Sequence, residues 1–333
     1  MERAIRALHS HPHIDSVGAP RDNDGETAVE IVVRVNLPSR WAAERCSPKG
    51  VRAAEPVTVL FPAPYPRHAP RFYARSDFDR SLAHVQPGPS AGPVQPCISE
   101  GNPTELFHQV GLLLLVDHLV AWFEKAALGT LIDPEQGWEP VRRDTLDDTV
   151  IADIDRLCSF VKSNSGFAFL KFDYLLAAGI YIGEVSAELF PTLNIAGGTG
   201  EQPWNKIRQG RGPALVVWPG NDAAGKPFVA DSYYPETVVN LRTLKERAKL
   251  YGCEAALESG LASLRQFAGN QHRDFAAAIM LCARRPFHLI GSERDLEISP
   301  YILRIEVPRM FPSGDDTPVR PTAHRHAITP QLL

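Results

Sequence analysis

One cysteine of this chain stands where a structural cysteine is not expected. Cys97 lies in PGPSAGPVQPCISEGNP, from Pro87 to Pro103, a stretch too crowded with proline and glycine for helix or ladder-bonded strand. A buried thiol usually sits in an apolar run, whereas this one sits on a stiff loop where large partners could reach it. A thiol there is a candidate nucleophile, because even at an ordinary pKa of about 8.5 a few per cent is thiolate at neutral pH. Polar groups flank it: His84 and Gln86 upstream, Glu100 and Asn102 downstream. A Cys97/His84 hydrolase pair is one reading, but no third group to orient the histidine is legible. A lone histidine also braces loops through either ring nitrogen, and that is its commoner use.

The other candidates for chemistry are weaker. His9, His11 and His13 alternate in HSHPH without cysteine or carboxylate ligands at set spacing, and read as a solvated turn. Asn194 to Gln202, NIAGGTGEQ, has glycines but not the G-x-G-x-x-G spacing, and reads as a loop, so no cofactor is implied. Cys158 and Cys282 lie in apolar surroundings and read as core fillers, while Cys46 and Cys253 carry no signal. Arg284 and Arg285 could meet an acidic partner, but charges at a strand end are usually only solvated.

Elements must hold Cys97 in place. Ala28 to Asn36 alternates, with Val29, Ile31, Val33 and Val35 on one face, and predicts a half-buried strand. Strands also fit Val57 to Phe61 and Arg71 to Arg75, joined by FPAPYPRHAP, whose prolines make it an extended connector pinned by Phe61 and Tyr65. After the thiol loop a helix begins with Asn102 at the N-cap, Pro103 at the first helical position and Glu105 placed for a capping box. Leu112, Leu115, Leu119, Trp122 and Ala126 give it one apolar stripe, and Gly129 is its stop.

The bulk numbers set the frame. A chain of 333 residues allows about two domains. A hydrophobic share of 44% with 22% charged is ordinary for a globular protein, and a net charge of −4 leaves no footprint for nucleic acid. The run from Val110 to Val116 is far short of a membrane span, so no membrane is expected. Five scattered cysteines, without a CxxC pair, point to a reducing cytoplasm. Farther along, Thr145 to Leu157 is expected to begin a linking helix, and Pro235 to Tyr251 to be helical up to Gly252. Leu257, Leu261, Leu264 and Ala268 mark another helix, Phe275 to Cys282 and Tyr301 to Val307 mark strands, and from Pro308 onward no periodicity remains.

The order strand, proline tract, histidine, cysteine, helix resembles the ubiquitin-conjugating (UBC) enzyme family over about residues 1 to 140. The family's FP-x-x-YP-x-x-P-P tract corresponds to Phe61, Pro62, Tyr65, Pro66 and Pro70, with Ala69 replacing the first proline of the closing pair. Its His-Pro-Asn triplet corresponds to His84-Val85-Gln86, so two of three positions depart, and the interval to Cys97 is longer. The likeness is nearest to divergent bacterial UBC-like proteins, which occur with or fused to ThiF-like activating enzymes, often in antiphage defence operons. Ile279 to Ile305 resembles the segment that follows the UBC domain in some such fusions, which suggests that these residues are the first part of a longer polypeptide.

The resemblance implies an α+β protein: a UBC-like antiparallel sheet with flanking helices over residues 1–144, a second α+β adaptor or docking domain over 145–310, and a Pro-rich flexible tail over 311–333. It implies that Cys97 carries a ubiquitin-like modifier as a thioester and transfers it to an amine on a target protein. His84, Gln86 and Asn102 then become site residues. Gln86 is the leading amide for the oxyanion of the transfer step and Asn102, also a plain N-cap, is the second. Glu100 could help deprotonate the amine. The rival of another class is a non-catalytic UBC-like module that only holds a modifier's tail.

Overall fold

The computed structural model describes residues 1–86, 92–99, 101–143, 146–189, 200–202, 207–306 and 314–326. The chain divides into two compact units: Met1–Glu139 with Tyr233–Pro235, and Pro140–Ser232 with Glu236–Leu333. Both combine helices with a sheet, antiparallel in the first unit and mixed in the second, in keeping with the α+β expectation.

The first unit begins with α1 (Glu2–Ser10), β1 (Ile14–Val17), β2 (Arg21–Asn23) and β3 (Glu26–Arg34). It continues with α2 (Ser39–Glu44), β4 (Ala54–Phe61), β5 (Arg71–Ala74) and α3 (Pro103–Leu128). The sheet runs β1-β3-β4-β5 with β2 on β3, antiparallel throughout. Asp24 and Gly25, at φ 52° and 82°, close the β2–β3 hairpin, a two-residue turn with both centres left-handed. The alternation of β3 does what its period requires. Val29 and Ile31 pair with Val59 and Val57 of β4, and all four are buried against α3.

α3 is apolar and long enough by composition to cross a membrane, yet it is the core helix of this unit. Leu112, Leu115, Leu119, Trp122 and Ala126 are all buried, and Gly129 ends the helix in the left-handed conformation. The expected single helix is broken at Gly111, where φ 79° and ψ 178° lie in a region open essentially to glycine. Of the alternating histidines, His9 is exposed and His13 half-buried, but His11 departs from the expected solvated turn. His11 is buried and its Nε2 meets Asp117 Oδ1 of α3 at 3.1 Å.

Among the described residues, the second unit is built on a mixed nine-stranded sheet. Its elements are β6 (Thr149–Ala152), α4 (Ile154–Phe160), β7 (Gly166–Ala177), β8 (Ile180–Leu189), β9 (Gly200–Gln202), β10 (Ile207–Trp218), α5 (Leu241–Leu250), α6 (Glu254–Gly269), β11 (Phe275–Arg284), β12 (Leu296–Ile305), β13 (Arg320–Pro321) and β14 (Ala323–His326). The order is β13-β12-β11-β10-β7-β8-β6-β14, with β9 on β10. β10 and β11 are parallel, as the crossover through α5 and α6 allows.

Four expectations are corrected here. The stretch 145–157 is not one helix: β6 comes first, and Asp153 then caps α4 by accepting from the Arg156 N–H at 3.1 Å. The helix placed at Pro235 starts only at Leu241, behind a reciprocal Asn240–Thr243 capping box. Within the expected flexible tail, residues 320–326 form β13 and β14, and Thr322 is fully buried. Arg285 is not a solvated charge but is 1% exposed. Its Nε donates to Glu297 Oε2 at 2.8 Å, and its Nη1 donates to the Ala230 carbonyl at 2.9 Å. Glu297 Oε1 accepts from the Val141 N–H at 2.9 Å, and Arg143 lies over the Tyr301 ring with Glu236 beside it.

Two measurements check these assignments. Gly111→Ala cannot keep the break in α3 without strain and is expected to lower stability by about 1–3 kcal/mol in denaturant unfolding. Unchanged stability would mean that the kink fixes nothing. Glu297→Ala removes the carboxylate shared by Arg285 and Val141 and is expected to cost about 3–5 kcal/mol, read as early loss of second-unit amide protection in hydrogen exchange.

Candidate functional site

The prolines around Cys97 remove donors from any regular ladder, so the loop is held by a short pairing of its two limbs and by contacts from the rest of the fold. Residues 84–86 and 94–97 lie antiparallel, with a bridge at Val85 and Pro96. Cys97 N–H donates to the His84 carbonyl at 2.8 Å, and Gln86 N–H donates to the Gln95 carbonyl at 2.9 Å. Val94 extends this short ladder to the end of β5 by exchanging both backbone bonds with Ala74, at 2.7 and 3.1 Å. Val94 is fully buried and Pro96 is buried, while Cys97 between Pro96 and Ile98 is half-buried. The period of two thus turns the apolar positions inward and brings the thiol to the edge of the core. Cys97 Sγ donates to the Ser99 carbonyl at 3.5 Å.

α3 clamps the loop on both sides of the cysteine. Trp122 Nε1–H donates to the His84 carbonyl at 3.1 Å, and His118 Nδ1 lies 3.1 Å from the Ile98 carbonyl. Residues 118 and 122 are one helical turn apart, so one face of α3 serves both contacts. The indole is itself packed against Phe78 and Phe123. Arg75 lies over the other side of this cluster, 5.3 Å from the Phe78 centroid, with its Nε 2.7 Å from Glu55 Oε1. Burial holds Glu55 above the usual carboxylate range, opposed by its bonds from Arg52 and Arg75. Arg80 holds the far limb of the loop by donating to the Gly92 carbonyl and, at 3.3 Å, to that of Pro93.

The proline tract packs beside the start of α3. Phe61 and Tyr65 meet edge to face at 4.9 Å, Tyr65 meets Phe107 at 5.7 Å, and the Tyr65–Pro66 peptide is cis. Ala69 N–H donates to Thr104 Oγ1 at 3.3 Å, and His108 Nε2 lies 3.3 Å from the Pro66 carbonyl.

The four residues singled out from the sequence occupy different places. His84 and Gln86 join the Cys97 ladder through their backbones, with His84 in the left-handed region at φ 55°. The His84 N–H donates to Glu139 Oε2 at 2.8 Å, and its Nδ1 lies 3.4 Å from the same oxygen. Asn102 is an N-cap: its Oδ1 accepts from the Thr104 N–H at 2.9 Å. Glu100 and the loop stretch 87–91 lie outside the described residues, as do Asn194 to Thr199 of the glycine-rich stretch. Sequence reasoning missed Glu139, His118 and Trp122 as loop contacts. Trp122 and His118 had a usable signal, since a polar ring nitrogen on an apolar helix stripe must find a partner. Glu139 had none, because it reaches His84 only through the fold.

Cys46 is half-buried like Cys97, whereas Cys253 and Cys282 are buried. Burial pushes the Cys253 thiol up to about 12 and holds Cys282 well above the ordinary range. Burial also raises the half-buried Cys158.

A small antiparallel sheet, a proline tract and a thiol on a braced loop ahead of a core helix define a class of conjugating-enzyme-like domains. Residues 1–155 match the model of prokaryotic E2 family A, E2 being the ubiquitin-conjugating class. This supports a bacterial E2-like, ubiquitin-conjugating-like character for the first unit, with a ubiquitin-like modifier and an activating enzyme as its general partners. No curated protein matches the chain.

Native alkylation tests the surroundings of the thiols. With iodoacetamide near pH 8, peptide mass spectrometry is expected to find Cys97 modified well before Cys253 and Cys282, whose burial keeps them protonated and covered. Modification of Cys282 at the rate of Cys97 would sink that ordering.

Proposed function

We propose that the first unit carries a ubiquitin-like modifier as a thioester on Cys97 and passes it to an amine of a target protein. The observation that carries this reading is the placement of Cys97: half-buried at the core's edge, on a loop fastened at His84, Val94 and Ile98. Within an E2-like domain, that thiol is the group positioned to accept an acyl chain.

Charging exchanges one thioester for another. The Cys97 sulfur attacks the modifier's carbonyl carbon, the C–S bond to the activating enzyme breaks, and that enzyme's sulfur leaves as the thiol. In transfer, the amine nitrogen attacks the same carbon, an amide forms, and Cys97 regains its proton. Both steps pass through a tetrahedral oxyanion that preorganised donors stabilise. Gln86, whose backbone pairs with Gln95 beside Cys97, is our leading candidate for the side-chain amide that donates. Asn102 already uses its oxygen as a cap, and we assign it to the helix start. His84 acts as a brace and not as a base, because its backbone makes the bonds that order the loop. A ThiF-like activating enzyme, separate or fused beyond the second unit, supplies the charged modifier, and the second unit serves as adaptor or docking domain in bacterial antiphage conjugation.

The test mixes the full chain with a candidate ThiF-like activating enzyme, ATP and a ubiquitin-like protein encoded beside it. An adduct that reductant removes and Cys97→Ala abolishes is expected. No adduct with such partners would leave a binding module that holds the tail without a bond, and an adduct that survives in Cys97→Ala would place the linkage on another residue and overturn the role of Cys97.

A further inference from the structure

His84 is a non-glycine residue held at φ 55°, a conformation that is uncommon and persists only where neighbours impose it. Two peptide planes meet at its Cα, and each is pinned separately. The plane that includes the His84 carbonyl is fixed by two donors, Cys97 N–H at 2.8 Å and Trp122 Nε1–H at 3.1 Å. The plane that includes the His84 N–H is fixed by Glu139 Oε2 at 2.8 Å. Each hold is one of the constraints that keep φ at 55°, so loss of either removes part of what imposes the conformation. Glu139 suits the task because it is 9% exposed, so water competes poorly for its oxygens. The same Oε2 also faces His84 Nδ1 at 3.4 Å.

We propose that Glu139 is a positioning residue for Cys97: through the His84 N–H it holds His84 in the left-handed conformation that lets the His84 carbonyl accept from the Cys97 N–H. Its importance to function rests on the thioester-carrier reading, but its test does not. The brace runs from the residue after Trp138 to the thiol loop by way of one backbone amide, so it does not need the imidazole as such.

Amide hydrogen exchange on the full chain measures this directly. Glu139→Ala is expected to speed exchange of the Cys97 amide by about tenfold while the amides of β3 and β4 keep their rates. Glu139→Gln keeps an oxygen for the His84 N–H and is expected to return the Cys97 amide to within about twofold of the parent. His84→Asn is expected to leave the Cys97 amide protected, because asparagine adopts the left-handed region readily and the bond at issue is main-chain. An unchanged Cys97 amide in Glu139→Ala would overturn the proposal. So would a rise shared with β3 and β4, failure of the Gln variant to recover, or loss of protection in His84→Asn. A negative thioester assay would leave these exchange rates to decide the brace alone, and an intact Cys97 amide in Glu139→Ala would remove the brace while leaving the carrier reading untouched.

Discussion

The His84 carbonyl accepts two hydrogen bonds, from the backbone N–H of Cys97 and from the Trp122 indole. The thiol loop depends on this one acceptor because its own sequence leaves it short of donors. Pro87, Pro89, Pro93 and Pro96 contribute no N–H, so a regular hairpin cannot form across them. The short pairing of the loop's limbs is therefore reinforced from outside, by Ala74 of β5, by Arg80 and Glu139, and by α3. Trp122 can donate upward because Phe78 and Phe123 fix its ring below, and Phe78 in turn carries the Arg75 guanidinium. The buried Glu55 that receives Arg75 sits on β4, so the chain of contacts runs from the sheet to the neighbourhood of the sulfur.

Much of the first unit could be read from residue types, and the reasons are local. β3 announced itself because one face is buried and the other wet, which forces alternation. The start of α3 was legible in Asn102 and Pro103 because capping is chemistry between neighbours. Cys97 stood out because proline and glycine around a thiol leave few structural uses for it. The Gly111 break was hidden, since a glycine within an apolar helical stripe looks like any tolerated glycine until its ψ of 178° is seen. Glu139 was hidden for a deeper reason: its partner lies across the fold, and spacing along the chain carries no information about such pairs.

The second unit shows where period-based reading fails. Buried on both faces, β11 runs Ala-Ala-Ala-Ile-Met-Leu-Cys-Ala with no wet face to produce alternation, so its correct reading as a strand rested on the apolar run and not on the period. The hairpin of β7 and β8 turns at Ala178 and Gly179, at φ 51° and 84°, and alanine is a poor advertisement for a left-handed turn. Arg143, Arg247 and Arg285 are buried together with Glu297, Tyr251 and Tyr301, with the half-buried Glu236 beside them, where charge patterns predict surface. Such a cluster is retained only if nearly every donor has an acceptor, and Arg285 meets that demand with Glu297, Tyr251 and two backbone carbonyls.

A thiol that is to carry an acyl group, as proposed for Cys97, faces opposed demands, and the surroundings of the cysteines show how the fold could separate them. Complete burial, as at Cys282, gives a fixed position but keeps the proton on and the acyl donor out. Full exposure would admit the donor but leave the loop to sample many geometries, each a loss of the alignment that acyl transfer needs. Cys97 lies between these limits: its backbone N–H is bonded inward to His84 while the residue itself is half-buried. Rigidity is placed in the main chain and access in the side chain. That division explains why the contacts found around Cys97 act so largely on backbone carbonyls and amides: they fix where the sulfur is without covering it.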